Sequence, residues 1–85
     1  MEEDPVAYGA YSIVSAPQKT DDEQWRLSGR IEKVEDGVSM TRSFVRVDTF
    51  PSREQAVEFT VRKGKQIIDQ QADMLFENGE VTGRA

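Results

Sequence analysis

Four arginines and one phenylalanine are the residues of this chain whose types and spacing could do chemistry. Arg26 and Arg30 lie in one segment of alternating apolar and polar residues, Arg42 and Arg46 lie in a second, and Phe44 stands midway between the second pair. A guanidinium is permanently charged and presents a rigid fork of donors that fits phosphate and carboxylate oxygens. An aromatic ring set among such groups can stack on nucleobases. The same two residue types are enriched at protein interfaces. The set therefore suits contact with duplex DNA or with another protein, and the plainer alternative is a solvated face on which arginine stems shield Phe44.

Most other chemistry is excluded by what is missing. The 85 residues include no Cys and no His, which removes disulfides, thiolate and imidazole metal ligands, cysteine nucleophiles and Ser-His-Asp triads. Phosphate-cradling glycine loops and calcium-loop spacing do not occur. Asp69 and Asp73 stand one turn apart on a helical pattern, but nothing in the sequence buries them as an acid/base pair would need. The expectation is a protein that is not an enzyme, with no cofactor, no small-molecule substrate and no membrane segment, in the cytoplasm.

The formal net charge of -5 looks hostile to DNA until it is located. Glu2, Glu3, Asp4, Asp21, Asp22 and Glu23 face Lys19 alone within residues 1–24, whereas residues 25–85 hold ten acids and ten bases. The deficit belongs to the N-terminal end, and the remainder is neutral, so what counts is where the arginines point.

The elements that must position them read as follows. Tyr8 to Ala16 is a short β-rich stretch bounded by Pro17, and a loop from Gln18 to Glu23 follows. Trp25, Leu27, Gly29 and Ile31 alternate with Arg26, Ser28, Arg30 and Glu32, the period of a strand with one buried face. A third strand runs from about Val38 to Phe50 and is ended by Pro51. Ser52 opens a helix, with Gln55 completing a capping box, and the pattern continues to about Glu77, where Asn78-Gly79 offers a left-handed cap. Ala56, Val57, Thr60, Val61, Gly64, Ile67, Ile68, Ala72, Met74 and Leu75 share one stripe of that helix. Phe59 and Phe76 fall outside it and either fold over its edges or meet a partner. Gly64 inside the stripe implies close approach of helix to sheet. Arg62, Lys63 and Lys65 read as a solvated, ion-paired face beside Glu58 and Asp69. The fold class is α+β: a three-stranded antiparallel sheet followed by one long C-terminal amphipathic helix packed on one face. Residues 1–7 form a flexible acidic tail, 8–79 a single domain and 80–85 a frayed end.

The turn between the second and third strands decides the faces. A three-residue loop at Glu35-Asp36-Gly37, a type I turn closed by a G1 bulge, sets Trp25 opposite Val47, Leu27 opposite Val45 and Ile31 opposite Thr41 on the core side. With Ile13 opposite Leu27, Tyr11 covers Gly29. The other side then presents Arg26 opposite Arg46, Arg30 opposite Arg42, and Phe44 among them, with Glu32 and Asp48 near enough to neutralise part of the charge. A two-residue turn shifts the pairing by one and brings Arg42 and Arg46 to the core side, which is poor for charged groups. The expected contact residues are accordingly Arg26, Arg30, Arg42, Phe44 and Arg46.

The segment Ser43-Phe44-Val45-Arg46-Val47-Asp48-Thr49-Phe50, then Ser52-Arg53-Glu54-Gln55-Ala56, Phe59-Thr60-Val61-Arg62-Lys63 and Gln66-Ile67-Ile68-Asp69-Gln70-Gln71, resembles the small bacterial proteins catalogued as HlyU-type transcriptional activators of haemolysin expression. The resemblance covers residues 8–77. It implies a transcriptional regulator whose partner is duplex DNA or another regulatory protein. The best-known bearers of that name are winged-helix dimers, and one helix without helix-turn-helix spacing departs from them. The competing expectation is a small interaction module, a homodimer through the open sheet face or a sheet edge.

Overall fold

A computed structural model describes residues 4–71 and 75, and the backbone of residues 80–84. The longest strands come from a hairpin, β4 (Trp25–Glu35) and β5 (Val38–Phe50). Its turn has two residues, not three: Glu35 pairs with Val38, and Asp36 and Gly37 take φ of 52° and 77°. Positive φ at both central positions is the type I′ geometry, whose twist matches that of the strands it joins. Asp tolerates the left-handed region by local hydrogen bonding, and Gly enters it without steric cost. The expected three-residue loop is therefore corrected, and with it every pairing from Val38 to Val45: Ile31 lies opposite Arg42, Arg30 opposite Ser43, and Gly29 opposite Phe44.

The expected first strand is two strands. Gly9, with φ of 63°, and Ala10 turn the chain between β1 (Val6–Tyr8) and β2 (Tyr11–Ser15), so that Tyr8 pairs with Tyr11. Ile13 lies opposite Ile31 rather than Leu27. Pro17 has no N–H for the ladder, and pairing resumes beyond it as β3 (Gln18–Lys19), inside the expected loop. Glu80–Arg84, where the composition suggests a loose end, forms β6 against the start of β5. The result is one antiparallel sheet in the order β1-β2-β4-β5-β6, with β3 also on β4.

Helix α1 (Arg53–Gln71) starts as its sequence dictates. The Ser52 hydroxyl accepts the Gln55 N–H at 3.2 Å, the N-cap bond of a capping box, and donates to Gln55 Oε1 at 3.3 Å. The expected continuation to Glu77 and the Asn78-Gly79 cap lie outside the described residues. α1 packs chiefly on β4 and β2 and only lightly on β5. Ile13, Leu27, Ile31, Phe44, Ile67, Ile68 and Leu75 make the core between the layers.

Two glycines set the spacing of those layers. A β-carbon on Gly29 would lie 2.6 Å from the Val14 carbonyl oxygen and 2.7 Å from Thr60 Cγ2, and one on Gly64 would lie 2.7 Å from Ile13 Cγ2. Phe44 and Thr60 cover Gly29, the place assigned to Tyr11 from the sequence. Thr60 is fully buried, and its hydroxyl has no hydrogen-bond partner among the described residues. At the outer margin the Tyr8 hydroxyl donates to Asp69 Oδ1 at 2.8 Å, a bond that raises the tyrosine pKa from its ordinary value, aided by burial and by the carboxylate charge.

Two substitutions test this packing. Thr60→Val keeps the branch over Gly29 and removes the unpaired hydroxyl, so it should raise stability by about 1 kcal/mol. Gly29→Ala forces a β-carbon against backbone and should lower stability by about 1–3 kcal/mol. Urea unfolding midpoints at constant slope read both.

Candidate partner-binding surface

The structure does not bring the five sequence-predicted residues together. Phe44 is 5% exposed and belongs to the core. Arg42 is on the helix side of β5, where its Nη1 donates to Gln71 Oε1 and to the Leu75 carbonyl oxygen, each at 2.9 Å. The guanidinium thus ties β5 to the last residue of α1 and to Leu75 beyond it. Arg30 is on the opposite face, 2.6 Å from Glu32 Oε2, the neutralisation anticipated from the sequence. Arg26 is exposed and lies opposite Thr49. Arg46 is half-buried and donates to its neighbour's carbonyl, Val45 O, at 3.1 Å. The cause is the two-residue turn. A one-place slip exchanges the faces of a strand, so Phe44 and Arg42 turn inward while Ser43 and Val45 turn outward. An inward arginine is tolerable because Arg42 lies near the helix end, where carbonyl and amide oxygens are available.

A different surface takes shape where β5 departs from β4. Between Arg26 and Ser28 the pairing shifts: Ser28 pairs with Val45 and Arg26 with Thr49, so Arg46, Val47 and Asp48 share Leu27 as the sole intervening residue of β4. Such a bulge bends the strand and re-aims its side chains. With α1 seated off-centre over β2 and β4, a groove of about 590 Å³ opens between the bulged end of β5 and the helix, lined by Leu27, Asp48, Phe50, Phe59, Arg62, Lys63 and Gln66.

The groove has an apolar floor and a charged rim. The rings of Phe50 and Phe59 stack with centroids 4.8 Å apart and planes 5° from parallel. The Arg62 guanidinium lies 5.1 Å from the Phe59 centroid and 3.4 Å from Glu58 Oε2; the Glu58 pair is the one the helical spacing anticipates. Arg62 and Lys63 stand on the helix wall and Asp48 on the strand wall. Beside the groove, Trp25 carries Arg53 at 5.9 Å and Lys19 at 6.0 Å from its ring. Val45 and Val47 on the bulged strand are 50% and 92% exposed. This arrangement can seat an apolar side chain against a preformed aromatic pair while pairing a neighbouring acid with Arg62 or Lys63. Among the described residues no cluster of carboxylates could hold a metal ion, and no helix is long and apolar enough to cross a membrane.

The usable signal for this surface in the sequence is Phe59, the aromatic lying off the apolar stripe of its helix. Phe50 gives no comparable signal, because its partnership with Phe59 depends on where the bulge aims the end of β5. The other off-stripe aromatic, Phe76, lies outside the described residues.

Comparison with known families matches residues 1–76 to the model described as transcriptional activator HlyU. No curated protein and no solved structure matches the chain.

Arg42→Ala removes both hydrogen bonds to the end of the helix and should cost about 1–2 kcal/mol, since bonds to a charged group are the stronger ones and this one is half-buried. Amide hydrogen exchange should quicken around Gln71 and Leu75 while the β4–β5 ladder near Gly29 stays protected.

Proposed function

We propose, for a chain that belongs to the HlyU family of transcriptional activators, a regulatory role exercised by contact with another protein through the groove between β5 and α1. The observation that carries this reading is the stacked Phe50–Phe59 pair under a rim divided between Arg62 and Lys63 on one wall and Asp48 on the other. A partly exposed aromatic pair beside cations has the composition of an interface hot spot. The occupant it suits is a protein segment with an apolar or aromatic anchor followed by a carboxylate, the anchor lying on the two rings and the acid facing Arg62 and Lys63. The role is non-enzymatic and cytoplasmic, where a regulator of transcription meets its partners.

Direct reading of DNA through the Arg26, Arg30, Arg42, Phe44 and Arg46 set has less support. Phe44 cannot stack on a base from the core, Arg42 is held at the helix end, and Arg30 is neutralised by Glu32. The α1 helix lies on the sheet and is not presented to a groove of the duplex.

Peptides selected on the full chain, with a Phe59→Ser variant as counter-selection, should converge on an anchor-plus-acid pattern. Phe59→Ser and Arg62→Glu should each weaken the selected peptides by about tenfold or more, with far-UV dichroism unchanged. Titration with labelled duplex DNA should show no binding that falls steeply with salt. Absence of any Phe59-dependent peptide, or salt-sensitive duplex binding abolished by Arg26→Glu plus Arg30→Glu, would overturn the reading.

A further inference from the structure

A separate feature of β5 points to a second partner. One edge of this strand is held by β4; on the other, β6 pairs only with Val38, Met40 and Thr41. Among the described residues nothing pairs with that outer edge from Arg42 to Phe50. An open strand edge is a template for another strand, and proteins that remain monomeric guard such edges with like charges, proline or inward-pointing charged groups. Here the guard is weak. Val45 and Val47 stand half and almost wholly exposed, and the flanking charges, Arg46 and Asp48, are of opposite sign.

We propose that this edge pairs antiparallel with the same edge of a second copy of the chain, about a two-fold axis through Val47. The charge pattern selects both the occupant and the register. With Val47 opposite its own counterpart, Arg46 lies opposite Asp48 of the second copy and Asp48 opposite its Arg46, so two unlike pairs form by symmetry. Val45 then lies opposite Thr49, and the two valines of each copy make one apolar strip on the face away from the helices. An axis through Arg46 or through Asp48 would set like charges against each other. An axis through Val45 would set Asp48 against Arg42, which is already engaged with Gln71 and Leu75. The pairing joins two sheets into one and leaves α1 of each copy on the same side of it; Asp48 is shared with the groove described above, whereas Phe59, Arg62 and Lys63 on the helix wall belong to the groove alone.

The tests use the full chain. Sedimentation equilibrium should show the mass rising with concentration from 9.6 kDa toward twice that value. Arg46→Glu and Asp48→Arg should each weaken the dimer by about tenfold or more, and the double reversal should restore it, because opposed charge pairs couple strongly. The chain has no cysteine of its own, so single replacements report proximity. Cα atoms directly opposite one another in antiparallel strands are about 4.5–5.5 Å apart, within disulfide reach. Val47→Cys should form a disulfide-linked dimer under mild oxidation, and Val34→Cys, exposed at the far end of the hairpin, should not. Phe59→Ser should leave the dimer intact, which separates this inference from the groove reading. A chain that is monomeric at every concentration overturns the proposal. So does a dimer indifferent to both single reversals, or one that the double reversal weakens further.

Discussion

A sheet gives each residue one of two faces, and the two-residue turn at Asp36-Gly37 makes that choice for the central hairpin. Type I′ geometry fixes Glu35 against Val38, and alternation carries the decision along β5. Phe44 is thereby delivered to the space over Gly29, where a larger residue on β4 could not coexist with it. The core, the place of the helix and the exposure of the valines all descend from this registration.

The helix adds its own constraint. α1 can approach the sheet only where side chains are missing, and the two contacts are staggered: Thr60 meets Gly29 on β4, and Gly64 meets Ile13 on β2. Both contacts lie on the β2–β4 side, so the helix settles there and β5 is left partly uncovered. The groove is a consequence of that offset, together with the bulge at Arg46 to Asp48, beyond which β5 rejoins β4 at Thr49 and Phe50. Close packing at one side of a small domain and an open cleft at the other are thus two results of one placement.

Elements written in local chemistry were legible from the residues alone. Ser52 and Gln55 announce the start of the helix, the apolar stripe names its buried face, and Gly64 announces the close approach. The α+β class follows from the same patterns. The register is not legible, because the choice between two turns depends on the cost of an inward charge, and that cost depends on acceptors supplied by residues distant in sequence. Arg42 finds its acceptors at Gln71 and Leu75, about thirty residues away. The bulge is equally a product of tertiary fit, since the run from Val45 to Thr49 shows unbroken strand alternation. The expected contact residues inherited the wrong register, whereas Phe59 was marked by its helical position, which no strand slip can alter.

The clasp between Tyr8 and Asp69 joins residues 61 positions apart. Closing a loop of that span costs chain entropy that the β4–β5 hairpin, closed by two residues, does not incur. The β1–β2 hairpin is as local as the central one, closed by Gly9 and Ala10, so the clasp is the long-range tie of that edge to the helix. β1 is a three-residue edge strand held by β2, by the Tyr8–Asp69 bond, by Lys65 over the Tyr8 ring and by the packing of Tyr8 on the core. Opening it would bare the outer edge of β2 while the hairpin, the helix and the glycine contacts between them stayed in place.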